Sequence, residues 1–201
     1  PLKENISSAH ESAQKDWRSA RLAAKRALGF DEQTPLIFIF GGSQGSVAIN
    51  EVIARSQQAI TSQGVNILHG VGARSALPES HDSYRAVNYI SDMATAYLAA
   101  DLIIARSGAV TCAEVNTLGR YALFIPLPIG NGEQNLNAAS LISQGRAEIL
   151  PQAQFTAEWI TANLSRLLAR SSAAPISGST IDIEATTKIV ALMDYALSGG
   201  K

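Results

Sequence analysis

The sequence predicts an α/β domain built on a doubly wound parallel sheet, and three observations support this class. The run "LIFIF" at 36–40 is apolar throughout, which is typical of a strand covered on both faces. Strand and helix patterns alternate from there to residue 169, at the spacing of βαβ units. A glycine-rich turn at 41–46 follows the first strand and opens a helix. Together these features predict one sheet with helices on both faces.

The elements are predicted in chain order as follows. Ser8 and Glu11 have the spacing of a capping box, and apolar residues at helical spacing predict one amphipathic helix over 9–28, which Gly29 ends. The predicted strands are 36–40, 65–69, 84–90, 101–105, 121–126 and 147–150. The predicted helices after the first are 45–63, 92–99, 109–119, 134–145, 156–169 and, beyond a Ser/Ala/Pro/Gly-rich stretch, 182–197. We therefore expect a core domain at 34–170, flanked by segments 1–33 and 171–201.

Composition limits the classes of partner. Of 201 residues, 46% are hydrophobic and 16% charged, and the net charge is −1, so no general attraction to nucleic acid or anionic lipid is expected. A basic stripe in the first helix is interpreted as its solvated face. Its members are Lys15, Arg18, Arg21, Lys25 and Arg26.

The cysteine count and the start of the chain indicate its setting. One cysteine, Cys112, excludes an internal disulfide, and no apolar stretch approaches the roughly 20 residues that span a bilayer. A reducing cytoplasm is therefore expected. The chain opens "PLK" without Met or a signal peptide, so we expect a piece of a longer protein.

The turn "GGSQGS" at 41–46 is the first candidate binding element. In open parallel sheets, ligands bind beyond the carboxyl ends of the strands, where helix N-termini present free N–H groups to anions. The turn matches neither the dinucleotide fingerprint nor the P-loop. The alternative is a tight turn in which glycine permits positive φ and close packing.

A second turn, "RSGAVT" at 106–111, also opens a helix, so two helix N-termini could hold a diphosphate. Glu114 lies about one helical turn beyond Thr111, and an ionised carboxylate there could accept both hydroxyls of a ribose. The alternative is a capping box in which Glu114 satisfies its own helix end.

A third candidate is the loop "PLPIGNGEQNLN" at 126–137, whose amides and carboxylate suit a sugar. The alternative is a solvent-exposed loop with an Asn-Gly turn.

Metal and nucleophile chemistry lack support in the sequence. No Asp-x-Asp occurs, and His10, His69, His81 and Cys112 lack metal-ligand spacing, so no metal and no cofactor are expected. Cys112 and His69 are interpreted as core residues rather than as nucleophile and base. There is no Gly-x-Ser-x-Gly elbow.

The segments "FGGSQGSVAIN", "ILHGVG", "RSGAVTCAE" and "GNGEQNLNA", in this order and spacing, resemble the C-terminal half of the MurG family of peptidoglycan glycosyltransferases. The likeness covers residues 1–150 closely and the remainder loosely. It implies a Rossmann-like domain that is one half of a two-domain GT-B-type enzyme. This half would bind UDP-N-acetylglucosamine as a substrate. The N-terminal half would hold the lipid-linked muramoyl-pentapeptide and the cytoplasmic face of the membrane, where the full enzyme converts lipid I to lipid II.

The resemblance also implies roles for individual residues. Lys3 matches a position near the nucleotide, at the end of an interdomain linker, and the catalytic base is expected in the N-terminal half. The other matched positions are Gly42, Ser43, Gly45, Ala109, Val110 and Thr111 for the diphosphate, Tyr89 and Ile90 for uracil, Glu114 for the ribose, and Glu133, Gln134 and Asn137 for the N-acetylglucosamine and phosphates.

Two competing functions have less support from these residues. One is a stand-alone nucleotide-sugar-binding subunit that works with a separate membrane chain, which a reading frame starting with Met near residue 1 would favour. The other is a fragment of a UDP-sugar 2-epimerase, which would need acid and base carboxylates in both halves.

Overall fold

The computed structural model describes residues 2–128 and 132–197, with the backbone alone at 186 and 187. Within these residues six strands form one sheet: β1 (Leu36–Phe40), β2 (Asn66–Gly70), β3 (Tyr84–Val87), β4 (Leu102–Ala105), β5 (Ala122–Phe124) and β6 (Ala147–Ile149). All pairings are parallel, in the order β3-β2-β1-β4-β5-β6. This is the doubly wound order that the sequence predicts, and its direction reverses between β1 and β4.

Helices cover both faces of the sheet. In the described part of the chain they are α1 (Glu4–Ala13), α2 (Trp17–Ala27), α3 (Val47–Thr61), α4 (Met93–Ala99), α5 (Ala109–Thr117), α6 (Glu133–Ser143), α7 (Ala157–Ala173) and α8 (Ala185–Leu197). Phe38 belongs to an apolar cluster with residues of α1, α2, α4, α5 and α6, whereas Ile37 and Ile39 belong to a second cluster with residues of α3 and α7. Successive residues of β1 point to opposite faces, so each face has its own core. None of the helices described is long and apolar enough to cross a membrane.

The predicted single helix over 9–28 is wrong, because the chain forms two helices there. Asp16 lies between them in an extended conformation and accepts a hydrogen bond from the Ser19 N–H at 3.0 Å, which makes it the N-cap of α2. Ser8 lies inside α1, so the predicted capping box does not begin a helix. The helical spacing of apolar residues continues across the break between α1 and α2, so the sequence pattern did not reveal the break.

The interpretation of the basic stripe as a solvated face is also wrong for two residues. Lys25 is buried, with its Nζ 2.7 Å from Asp101 Oδ2. Arg21 donates to the carbonyls of Gly119 at 2.8 Å and Ile176 at 2.7 Å. Both side chains lie at the amino edge of the sheet, where backbone carbonyls and a carboxylate are available to a cation.

The other elements fall close to their predicted positions, with two differences that matter later. The strand predicted over 84–90 ends at Val87, so Tyr89 and Ile90 lie beyond it. The last helix begins at 185 rather than 182 and exposes much of its apolar surface.

In the first predicted flanking segment, Ile6 and Ala13 of α1 belong to the same buried cluster as Phe38. Residues 1 and 198–201 of the two predicted flanking segments lie outside the described residues.

Candidate functional site

A cavity of about 170 Å³ lies at the carboxyl edge of the sheet, beside the point where the strand order reverses. Phe40 and Gly70, the last residues of β1 and β2, line it together with the start of α5. Eight predicted site residues line this main cavity: Lys3, Gly42, Ser43, Tyr89, Ile90, Val110, Thr111 and Glu114.

The glycine-rich turn between β1 and α3 combines close packing with open space. A Cβ on Gly45, which has φ +82, would lie 2.1 Å from the Val71 carbonyl oxygen, and a Cβ on Gly41 would lie 2.4 Å from Ser46 Cβ. Gly42 also has a positive φ, +95, but a Cβ there would meet nothing within 4 Å. The tight-turn reading therefore holds for Gly41 and Gly45, while Gly42 leaves room beside the cavity for a ligand.

The two predicted helix starts differ. No side chain caps α5, which begins after Gly108, and its first N–H groups carry the partial positive charge of a helix N-terminus. Val110 and Thr111 bring this end into the main cavity. The start of α3 is capped by Ser46 Oγ, and Val47 lines a neighbouring cavity instead. The expectation that both helix starts face one crevice is therefore wrong for α3, because only the start of α5 lines the main cavity.

Glu114 contributes a buried carboxylate to the lining of the main cavity. Only 4% of the residue is exposed, and its Oε2 accepts a hydrogen bond from the Tyr97 hydroxyl at 2.8 Å. Burial raises the pKa of Glu114, while the Tyr97 hydrogen bond and the positive charge of Lys3 oppose the rise. The other oxygen, Oε1, has no hydrogen bond to any residue in the described ranges, so it is available to a ligand hydroxyl.

The capping-box alternative for Glu114 is wrong. Gly108 is the N-cap of α5, which puts Thr111 inside the helix rather than at its start. The carboxylate binds the Tyr97 side chain of α4 instead of its own helix end.

The chain beyond β3 forms one wall of the main cavity. Tyr89 is 63% exposed, and Ile90 packs over β2, where a Cβ on Gly70 would lie 3.1 Å from Ile90 Cγ1. Residues that line the cavity but were not predicted are Phe40, Gly70, Gly72, Asn88 and Met93. Gly70 and Gly72 belong to the quoted segment "ILHGVG", so the signal for them was present in the sequence.

The remaining predicted site residues lie outside the main cavity. Gln134 lines the neighbouring cavity and accepts from the Leu127 N–H at 2.9 Å, while Asn137 donates to the Ser107 carbonyl at 3.1 Å. Gly45 lies with Gln134 in the neighbouring cavity, Ala109 with Asn137 in another, and Glu133 is exposed. Residues 129–131 of the predicted sugar loop lie outside the described residues.

Arg106 holds the loops of this edge together and was not predicted as a site residue. Its Nη1 donates to the carbonyls of Ile125 at 2.9 Å and Pro126 at 3.0 Å. Its Nη2 donates to Ser46 Oγ at 2.8 Å and Gln152 Oε1 at 2.6 Å. One guanidinium thus connects the segments that follow β1, β5 and β6.

His69 and Cys112 are core residues, as predicted. His69 Nδ1 lies 2.9 Å from Tyr84 Oη and Nε2 lies 3.1 Å from Asn50 Oδ1, so both ring nitrogens have partners. Burial raises the pKa of the Cys112 thiol to about 12, with a further contribution from Asp182. Among the residues described, no group of three or more His, Cys, Asp or Glu side chains could hold a metal ion.

Comparison with known proteins identifies the family. Residues 36–190 match the model of the glycosyltransferase family 28 C-terminal domain. The chain is 44% identical over 151 residues to the UDP-N-acetylglucosamine--N-acetylmuramyl-(pentapeptide) pyrophosphoryl-undecaprenol N-acetylglucosamine transferase of Corynebacterium glutamicum, covering 75% of this chain and 42% of that protein. It is 39% identical over 159 residues to the transferase of the same name from Streptomyces coelicolor, covering 77% and 44%.

Solved structures agree with these sequence relationships. The crystal structure of Acinetobacter baumannii MurG superimposes with a TM-score of 0.63 and 28% identity, over 87% of this chain and 53% of that one. CalG4, the calicheamicin glycosyltransferase, superimposes with a TM-score of 0.61 at 14% identity over 82% of this chain and 44% of that one, which shows the shared fold alone.

The chain spans less than half the length of the curated relatives described here. The family model nevertheless covers most of this chain and includes all six strands of the sheet. The chain therefore belongs to glycosyltransferase family 28 and carries the C-terminal domain of that family.

Proposed function

We propose that this domain binds UDP-N-acetylglucosamine in the main cavity and forms the donor half of an inverting N-acetylglucosaminyltransferase that converts lipid I to lipid II. The observation that carries the proposal is a buried carboxylate, Glu114, in the same cavity as the uncapped start of α5. A helix N-terminus suits the diphosphate and the carboxylate suits the ribose hydroxyls. The names of the relatives support the same donor.

The ligand is proposed to lie across the cavity from β3 to α6. Uracil would pack between Tyr89 and Ile90, with the Ile90 backbone binding its edge. Ser43, its glycine neighbours and the start of α5 would bind the diphosphate, and Lys3 would lie near the nucleotide. Glu133, Gln134 and Asn137 would address the N-acetylglucosamine and phosphates, with Glu133 accepting from the sugar hydroxyls.

The chemistry requires stabilisation of the leaving group. The acceptor hydroxyl loses a proton to a base in the N-terminal half and attacks the anomeric carbon. The bond to the diphosphate oxygen then breaks, configuration inverts, and UDP leaves with the negative charge. N–H groups already aimed at that charge lower its energy in the transition state. This chain would supply the donor site, and it should not turn over by itself.

In a protein of the relatives' length, segments 1–33 and 171–201 would connect this domain to the acceptor half, with α8 packing towards it. Such an enzyme would act at the cytoplasmic face of the cell membrane and contribute to wall synthesis, and through it to cell shape and division. The stand-alone subunit and the epimerase are not favoured, because the curated relatives reported above are all named as this transferase.

Amide chemical-shift mapping of the 201-residue chain tests the proposed site. UDP-N-acetylglucosamine should shift the amides of Gly42, Ser43, Ile90, Val110 and Thr111. Amides of residues that line neither this cavity nor its neighbours, such as Gln63 and Thr161, should not shift and serve as the internal control. Shifts confined to other surfaces, or none at millimolar ligand, would reject the proposal.

A further inference from the structure

A second pocket, of about 580 Å³, lies at the opposite, amino edge of the sheet. Pro35 and Asp101 precede β1 and β4, and Arg120 lies just before β5. Arg21 and Lys25 of α2 approach from one side. We call this the amino-edge pocket, and the whole depth of the sheet separates it from the main cavity.

The amino-edge pocket carries an excess of positive charge. Arg21, Lys25 and Arg120 line it, and Arg146 lies close enough to Arg21 for the two charges to repel. Asp101 is already engaged by Lys25 at 2.7 Å and by the Leu36 N–H at 2.8 Å.

The second acidic residue of the pocket is also engaged. Glu32 pairs with Arg26 at 2.7 Å. The charge of Asp101 attracts both Arg21 and Arg120, but neither guanidinium forms an ion pair with a carboxylate among the described residues.

Several of these cationic donors have no partner. Arg120 is only 3% exposed, and its Nε and Nη1 atoms are buried without a hydrogen bond to any described residue. The Nε of Arg21 is in the same state. A buried guanidinium without partners is costly, so proteins pair such groups with an anion or with several acceptors.

Titration behaviour agrees with the geometry. Burial, together with repulsion from Arg21, lowers the pKa of Arg120 to about 9, although the negative charge of Asp101 opposes the shift. Burial, together with repulsion from Arg146, lowers the pKa of Arg21 to about 10, although the negative charge of Asp101 opposes the shift. A bound anion would reverse both effects, because it favours the charged forms.

We propose that the amino-edge pocket is a binding site for an oxyanion of the phosphate class, separate from the donor site. Arginines from two segments, α2 and the loop before β5, line one space, and Arg18 stands exposed beside it. A tetrahedral dianion accepts from several directions at once and balances more of the excess charge than a carboxylate does. A free phosphate group and a lipid head group share this chemistry.

Titration with inorganic phosphate at constant ionic strength, followed by backbone amide shifts, tests the proposal. Amides of Thr34, Arg120 and Ser172 report the amino-edge pocket, while those of Gly42 and Thr111 report the main cavity. The absence of binding at one site can therefore be detected independently of binding at the other. Arg120→Leu should weaken the binding seen at the amino edge by at least tenfold. Arg55→Gln, which removes an exposed arginine of α3, should leave it within twofold.

A second variant covers the case in which Arg120→Leu does not fold. Arg21→Gln alters a half-buried side chain and should weaken phosphate at the amino edge by at least fivefold. Phosphate shifts that are absent from the amino edge, or equal in wild type, Arg120→Leu and Arg21→Gln, would overturn the proposal.

Vesicles distinguish the two sources of the phosphate group. Because Arg120 is nearly inaccessible to solvent, we expect soluble phosphate to bind but a lipid head group in a membrane not to reach it. The chain should therefore not co-sediment with phosphatidylglycerol vesicles. Vesicle binding that Arg120→Leu abolishes would assign the phosphate to a lipid head group and still support the site. Binding of neither soluble phosphate nor vesicles would overturn it.

Discussion

At the scale of single residues, Glu114 has the most informative environment in the main cavity. Its carboxylate is buried, shares one oxygen with Tyr97, and keeps the other free of partners in the described chain. A structural role alone would not need an ionisable group there, since a neutral amide could accept from Tyr97 equally well. The arrangement therefore favours a ligand that presents hydroxyl groups.

Glu114→Ala should weaken UDP by about 10- to 100-fold, because hydrogen bonds to a charged group contribute about 1.5–3 kcal/mol. Pyrophosphate lacks the ribose and should lose little affinity. Isothermal titration calorimetry measures both, with Glu11→Ala, an exposed residue of α1, as the matched control. Equal losses of affinity for UDP and pyrophosphate would contradict the proposal that Glu114 binds the ribose.

The pH dependence of stability provides an independent test of the same carboxylate. Burial raises the pKa of folded Glu114, so the group favours folding most where it is protonated, and this advantage is lost as the pH rises through the raised pKa. Glu114→Gln should therefore raise Tm relative to wild type at pH 8, and the gain should shrink towards zero near pH 4. Thermal melts measure both values, and a gain that does not depend on pH would contradict the expectation.

Eight of the residues predicted from motifs line the main cavity, whereas the prediction of its lining was incomplete where packing decides. Glu114 could be predicted from its spacing to Thr111, because both lie on one helix. Asn88 and Met93 were missed, since their place in the cavity depends on where β3 ends and how the chain returns to α4.

At the scale of elements, the turn between β1 and α3 has two kinds of glycine. Gly45 is required by contact with Val71, while Gly42 is required by its backbone conformation and faces open space. The sequence shows only that the turn is rich in glycine. Which glycine makes room for a ligand depends on the neighbouring loop after β2, which the sequence pattern does not place.

Gly42→Ala and Gly45→Ala should separate binding from folding. Gly42→Ala should lower the free energy of unfolding by about 1–2 kcal/mol, because residue 42 has a positive φ. It should also weaken UDP binding, because the new Cβ would contact the ligand. Alanine at 45 should destabilise the chain by about 3 kcal/mol or more, because its Cβ would overlap the Val71 carbonyl. Urea unfolding and calorimetry measure the two effects, and similar stability losses would contradict the assignment.

Helix boundaries show a further limit of sequence patterns. The apolar period runs through both α1 and α2, since both pack on the same cluster, and it cannot show that Asp16 begins a new helix. The parallel strands were easier to place, because each is a short apolar run between turns.

At the scale of the whole molecule, α8 exposes apolar side chains that the domain does not cover. Leu192 is 67% exposed and Leu197 is 85% exposed. Exposed apolar patches promote association. The chain should therefore self-associate as its concentration rises, and Leu192→Glu should reduce this. Sedimentation velocity measures the effect, with Leu77→Glu, an exposed residue outside α8, as control; a wild-type monomer throughout would contradict it.

The two edges of the sheet have complementary chemistry. The carboxyl edge carries the open glycine turn, the uncapped α5 and the Glu114 carboxylate, while the amino edge carries clustered arginines. The fold class and the position of the main cavity at the carboxyl edge could be predicted, because doubly wound sheets place ligands there. The amino-edge cluster could not, since Arg21 and Arg120 are far apart in sequence and only the folded sheet brings them together.

Calorimetric titration of the 201-residue chain with UDP and with ADP tests the donor site most directly. If Tyr89 and Ile90 bind uracil, and Glu114 binds the ribose that both nucleotides share, UDP should bind at least tenfold more tightly than ADP. Equal affinity for UDP and ADP, or no binding of either, would contradict the proposal that this cavity is a uridine diphosphate site.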